Sequence, residues 1–167
     1  MLSSFWRGPK AAFRYPILPA PKTAVMVPWF RQARGPVRIL DKLPAERPAH
    51  AAIAATWPQF VQLIRARAAS TTHSVIVLWR AGEALLSSEQ RDRLWDAFHV
   101  PVFEQIIGDR GELLAAECEA HDGLHLESQS FRPAGLPLET APCGCGRKTP
   151  RFMVLKTASR SRVAAYA

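Results

Sequence analysis

The sequence predicts an α/β fold: a small, mostly parallel sheet built around a βαβ unit. Two apolar, β-branched runs, "HSVIVLW" at 73–79 and "VPVFEQII" at 100–107, bracket the amphipathic stretch "SSEQRDRLWDAF" at 87–98. Strand, helix and strand at this spacing give parallel neighbours, with the loops after their carboxyl ends on one edge of the sheet. A second observation is the clustering of all three cysteines in two short stretches with histidines beside the first. A third is the segregation of charge. Residues 1–40 carry seven basic side chains and no acid, and residues 147–167 carry six and no acid, whereas 41–146 has nine basic and fourteen acidic residues. An acidic body is therefore expected to carry basic irregular ends.

The elements follow in order. Prolines at 9, 16, 19, 21, 28 and 36 make the first forty residues a poor frame for regular structure beyond extended pieces such as "TAVMVPWF". An arm over 1–45 is the expectation, followed by an α/β domain over 46–155 and a basic tail over 156–167. "AHAAIAATWPQFVQLIRARAAS" at 49–70 reads as a helix with Ile53, Trp57, Phe60, Val61 and Ile64 on one face, broken or restarted at Pro58. "HSVIVLW" is a buried strand closed by the turn "RAGE". Ser87 or Ser88 caps the next helix, whose Leu94, Trp95 and Phe98 are expected to face inward. "VPVFEQII" is the second buried strand. "ELLAAECEA" at 112–120 suits either a strand or a helical turn, and periodicity does not separate them. "DGLHLES" is a turn leading into a short strand, 133–150 is a loop dense in proline and glycine, and "RFMVL" at 151–155 is a candidate last strand.

Composition bounds the function. The chain has 167 residues, 48% hydrophobic and 22% charged, which suits one globular domain. No run approaches the roughly 20 apolar residues of a membrane span, so no transmembrane segment is expected. Three cysteines cannot all pair within one chain, and no stretch combines a basic start, an apolar run and a small-residue cleavage site. A reducing, cytoplasmic setting is expected. The acid-free opening "MLSSFWRGPKAAFRYP" has the composition of an organellar transit peptide, which keeps the organellar matrix as the alternative. The net charge of +8 sits at the ends, where it can draw nucleic acid, an anionic surface or an acidic protein.

"CEAHDGLH" at 118–125 and "CGC" at 143–145 supply three thiols and an imidazole. Zinc takes these ligands in a tetrahedron, and a set of four is the composition of a closed structural site. Cys118, His125, Cys143 and Cys145 are the candidate ligands. Asp122-Gly123 is a turn signal that can fold the histidine back towards Cys118, and Gly144 and Gly146 let the backbone curl around both later sulfurs. Closing the 17 residues between His125 and Cys143 costs a few kcal/mol of chain entropy. Structural zinc sites supply roughly 10–16 kcal/mol, so the metal could order this loop region. His121 competes for the nitrogen position, since in a helical segment it would stand nearer Cys118. A redox dithiol or three unrelated thiols is the reading that competes with zinc.

Taken as a set, these motifs resemble the phenylacetate–CoA ligase branch of the adenylate-forming (acyl-activating) enzymes, over roughly residues 73–155. In that family a Gly-Gly-Glu turn lies along the adenine and a later Tyr-Gly-x-Thr-Glu loop contacts nucleotide and magnesium. Ala81-Gly82-Glu83 matches the first turn, and "IIGDRGE" at 106–112 stands in place of the second. The resemblance thus implies Gly82, Glu83, Gly108 and Asp109 as vestigial nucleotide-loop residues. Some members carry a zinc site with six residues between a Cys and a His and a later Cys-x-Cys-Gly-Arg; Cys118, His125, Cys143, Cys145, Gly146 and Arg147 match it.

The chain also departs from the family. "AASTTHS" at 68–74 lacks the glycines of a phosphate loop, Ile107 replaces the adenine-stacking aromatic, and Arg110 and Gly111 replace Thr and Glu. The ribose-binding Thr-Gly-Asp and the small domain with the catalytic lysine have no counterpart, and Lys148 and Lys156 stand in the wrong context. The resemblance therefore implies a zinc-stabilised, catalytically incomplete ligase-like domain that works by binding, as an accessory or recognition module with a protein partner and without ATP chemistry of its own. Two other functions compete with it: one subunit of a split acyl-adenylate-forming ligase, and a basic zinc-containing nucleic-acid-binding protein.

Overall fold

The computed structural model describes residues 13–15, 18–27, 29–30, 36–40, 50–67 and 70–153. The tail at 156–167 and the first twelve residues of the arm lie outside them, and with residues 31–35 they hold seven of the thirteen basic side chains of the two ends. No helix among the described residues is long and apolar enough to cross a membrane.

The chain order is β1 (Thr23–Val25), β2 (Val37–Ile39), β3 (Ala52–Ala55), α1 (Trp57–Ala66), β4 (Ser74–Arg80), α2 (Ser88–Phe98), β5 (Val102–Ile107), β6 (Leu113–Glu117), β7 (Leu124–Leu126), β8 (Leu138–Glu139) and β9 (Arg151–Phe152). The nine strands among the described residues join one sheet in the order β2-β1-β3-β4-β5-β6-β7-β9-β8. The strands from β2 to β5 pair in parallel, and those from β5 to β8 pair antiparallel. The βαβ unit of β4, α2 and β5 is present as expected. The sheet is larger than expected and mixed, with its second half antiparallel.

Two expectations near the amino terminus need correction. Residues 23–25 and 37–39 lie in the stretch expected to be an arm, yet both are sheet strands, and Thr23, Ala24 and Val25 are fully buried beside β3. Proline limits strand length here but does not prevent a three-residue parallel strand from being enclosed by neighbours. Residues 52–55 of the expected long helix are β3, so Ile53 belongs to the sheet. The helix begins only at Trp57, with Pro58 in its first turn, where a missing N–H costs nothing.

Helix α1 is opened by a capping box in which Gln59 Oε1 accepts the Thr56 N–H at 3.0 Å, and it is closed by Arg67 in the left-handed conformation. In α2 the Ser87 hydroxyl accepts the Gln90 N–H at 3.2 Å while Gln90 Oε1 accepts the Ser87 N–H at 2.9 Å. Leu94 and Phe98 of α2 are buried, but Trp95 is 52% exposed, against the expectation that it faces inward. One step along a helix turns a side chain about 100°, so it cannot share the face of Leu94.

Both helices cover one sheet face. Phe60 of α1 meets Phe98 of α2 edge-on at 5.8 Å over a core that includes Ile53, Val75, Val77, Leu94 and Ile106. The other face buries Val25, Val27, Phe30, Ile76, Leu78 and Ile107, with Phe13, Tyr15 and Trp29 packed against it. The amino-terminal segment thus does the covering work that a helix does on the first face.

Candidate metal centre

"ELLAAE" folds as strand β6, antiparallel to β5, and the hairpin from β6 to β7 pairs Glu117 with Leu124. This pairing places Cys118 at the end of β6 and His125 in the middle of β7. Gly123 allows the tight return between them. Its φ is +81°, and a Cβ there would lie 2.6 Å from the Phe152 carbonyl oxygen, so no other residue fits without displacement. The later cysteines sit in a turn between β8 and β9, where the Gly146 N–H donates to the Cys143 carbonyl at 2.9 Å and Gly146 has φ +78°. That turn aims both sulfurs at the hairpin.

The ligand atoms of Cys118, His125, Cys143 and Cys145 all lie within 4.8 Å of one another. The Cys118 and Cys143 sulfurs are 3.6 Å apart, and Cys145 Sγ is 3.5 Å from His125 Nε2. In a tetrahedron with metal–sulfur bonds of about 2.3 Å and metal–nitrogen bonds of about 2.0–2.1 Å, neighbouring sulfurs stand about 3.8 Å apart and sulfur and nitrogen about 3.5 Å. These two distances match that geometry, and the set of four is compatible with a single bound ion. Cys118, His125 and Cys143 are buried and Cys145 is half-buried.

The histidine is prepared for such a role. Its Nδ1 lies 2.9 Å from the Thr149 carbonyl oxygen, which can only accept, so Nδ1 carries the proton and the Nε2 lone pair faces the sulfurs. Burial lowers the His125 pKa, and the charges of Arg147 and Arg151 lower it further. A neutral imidazole is the form that binds metal. Burial pushes the Cys118 thiol up to about 12, and the neighbouring thiols push the same way. Burial also raises Cys143, but hydrogen bonds from the Cys145 backbone and the two neighbouring thiols, together with the Arg151 charge, outweigh it and leave the net shift downward. Three thiols this close cannot all ionise without a cation among them.

His121 is directed elsewhere. Its Nδ1 is 3.0 Å from Glu117 Oε1, and its ring stacks on Phe103 at 4.8 Å and 7°. The helical segment that would have favoured it is absent.

Gly82, Glu83, Gly108 and Asp109 come together at another place. Arg80 of β4 pairs with Ile107 of β5, so the loops after both strands share one edge. Because β6 runs antiparallel to β5, Cys118 lies towards the opposite end of the strands. At the shared edge the Arg80 N–H donates to Glu83 Oε2 at 2.6 Å, and its guanidinium lies 3.3 Å from both the Gly108 carbonyl and Asp109 Oδ1. The same guanidinium sits 4.3 Å from the Trp29 ring centre. Arg110 faces Glu112 at 3.9 Å. Neither Thr149 nor Trp29 carried a sequence signal, because the first acts through its backbone carbonyl and the second comes from far along the chain.

No family model matches the sequence, and no curated protein matches it. Among solved structures, the chain is similar to 2-hydroxyisobutyryl-CoA ligase, solved in an open conformation in complex with 2-HIB-AMP and CoA. The TM-score is 0.53 and the identity 15%, over 81% of this chain and 44% of that one. The likeness is one of fold, and the chain spans less than half the length of the ligase chain.

Proposed function

We propose that the chain is a zinc-stabilised, catalytically incomplete domain of the adenylate-forming type, in the phenylacetate–CoA ligase branch, which acts by binding another polypeptide as an accessory or recognition module. The observation that carries this reading is the convergence of Cys118, His125, Cys143 and Cys145 within 4.8 Å, on a fold similar to part of a CoA ligase. Zinc is the ion that three thiolates and one imidazole select in a tetrahedron. With all four positions filled, the ion has no open position for catalysis, so its contribution is to hold β6, β7 and the turn at 143–146 together. The free thiols suit a reducing compartment such as the cytoplasm.

The opposite edge supports the non-catalytic part of the reading. Glu83 and Asp109, which the resemblance makes vestigial nucleotide-loop residues, both contact Arg80, the first through its backbone N–H and the second through its guanidinium. A second reading follows from the partial span of the ligase-like structure: the chain is one part of an acyl-activating enzyme whose phosphate loop and catalytic lysine are supplied elsewhere. Glu83, Gly82, Gly108 and Asp109 would then contact nucleotide in the assembled enzyme.

Two measurements test these readings. Elemental analysis of protein purified without added metal is expected to give about one zinc per chain, lost in Cys118→Ser and His125→Ala and kept in His121→Ala. No metal in the reduced parent protein would sink the zinc reading. Calorimetric titration with magnesium ATP and with a non-hydrolysable acyl-adenylate is expected to show no binding, and tight binding of either would favour the enzymatic reading.

A further inference from the structure

A divalent ion held by three thiolates and a neutral imidazole carries a net charge of about −1, and a buried net charge is costly unless a counter-charge is close. Two arginines stand beside the cluster. Arg151 is 6% exposed and lies opposite His125 in the ladder between β7 and β9, so both side chains leave the sheet on the same face. Arg147 follows Cys145 by two residues and is tied to Glu127 Oε1 at 2.6 Å. Arg151 is tied to Asp122 Oδ2 at 2.9 Å and to the Ala141 carbonyl oxygen at 2.6 Å. Among the described residues each guanidinium still keeps a buried N–H without a hydrogen-bond partner, Nη1 in Arg147 and Nε in Arg151.

A guanidinium N–H shut off from water and left unspent is expensive if the group's only role is to satisfy a carboxylate. A net anion close by removes that cost. Arg151 is the ladder partner of His125 and Arg147 stands two residues beyond Cys145, so the chain brings both positive charges to the cluster. We propose that Arg147 and Arg151 are positioning residues of the metal centre, whose charges offset the anionic cluster of metal, three thiolates and His125 and raise its affinity for a soft divalent ion. The inference rests on the metal reading above and extends it from the four ligands to the groups behind them.

The test uses the full chain loaded with Co2+ and titrated with a competing chelator at fixed pH. Arg147→Gln and Arg151→Gln are each expected to bind the ion about 10–100-fold more weakly. Their thiolate-to-cobalt charge-transfer band should move to lower energy, because the sulfur lone pairs lose a stabilising positive charge. Arg147→Lys and Arg151→Lys should restore most of both. Glu127→Gln separates charge from scaffolding. Removing the carboxylate that holds Arg147 leaves affinity equal or higher if charge compensation is the role, whereas a structural role predicts a loss like that of Arg147→Gln. Parent affinity with an unshifted band in the glutamine variants, or a matching loss in Glu127→Gln, would overturn the proposal while the metal reading stands. Failure of the parent protein to bind Co2+ or zinc would overturn both.

Discussion

Glu104 shows what a single residue does in this fold. It is 3% exposed, yet it accepts the Trp79 indole N–H at 2.8 Å, the Leu86 N–H at 2.8 Å and an Arg91 N–H at 2.7 Å. Arg91 also reaches Glu117 at 3.1 Å, and Glu117 in turn accepts the Glu104 N–H at 3.0 Å. The network ties α2 to β5 and β6. Burial raises the Glu104 pKa, and the Leu86 N–H and Arg91 only partly counter it. A carboxyl whose folded pKa is raised holds its proton more tightly when native. Its favourable contribution is therefore full below the ordinary carboxylate pKa and declines as pH rises from there to the raised folded value. Urea unfolding across this acid range should show that decline, and Glu104→Gln should abolish it. An unchanged slope in the variant would mean that Glu104 binds its proton equally well folded and unfolded. The glutamate could be read from "VPVFEQII", but its burial could not, because its partners lie on three other elements.

Helix α2 was the most readable element, since cap, apolar spacing and strand flanks agree in one short stretch. The reciprocal capping box at Ser87 and Gln90 satisfies two amides that the helix cannot satisfy internally. Ser87→Ala should cost about 1 kcal/mol in chemical denaturation. A loss indistinguishable from zero would show that water replaces the hydroxyl. Trp95 was misjudged because its neighbour Leu94 is core, and apolar character alone does not state which side of a helix faces the sheet. It lines an open cleft of about 320 Å³ with Arg91, Asp92, Pro101, Val102 and His121. The stretch at 50–55 failed for a different reason. Alanines favour helix locally, but four of these residues are enclosed between β1 and β4, where their small side chains suit a strand covered on both faces.

At the scale of the molecule, the apolar core under the helices runs on from the parallel half into β6, β7 and β9 through Leu114, Ala115, Leu124, Leu126 and Phe152, and the antiparallel half adds the cysteine cluster to it. The parallel half is covered on both faces by apolar packing, whereas β8 is two exposed residues at the edge of an antiparallel half held around the cysteine cluster. Chelation should therefore loosen one end first. Amide exchange is expected to accelerate across 113–152 while β3, β4 and β5 keep their protection. If the site holds zinc as proposed, removing it from a solution at about 100 times its Kd would remove about 2.7 kcal/mol of linkage, a Tm loss on the order of 5–10 °C for a chain of this size. Uniform loosening along the whole sheet would instead mean that the cluster and the core unfold as one unit.

Local chemistry by itself determined the βαβ unit, the cap of α2, the turns at Asp122-Gly123 and Gly146, and the four residue types that could hold a metal. These rest on periodicity, side-chain branching and backbone permissiveness, which act within a few residues of one another. Only the tertiary structure decided that "ELLAAE" is an antiparallel strand, that residues 23–25 enter the sheet, and that His125 rather than His121 faces the sulfurs. The physical reason is the same in each case. Strand pairing and ligand geometry are set by neighbours far along the chain, and the register of β6 against β7 turns one histidine towards the cysteines while leaving the other on Phe103 and Glu117.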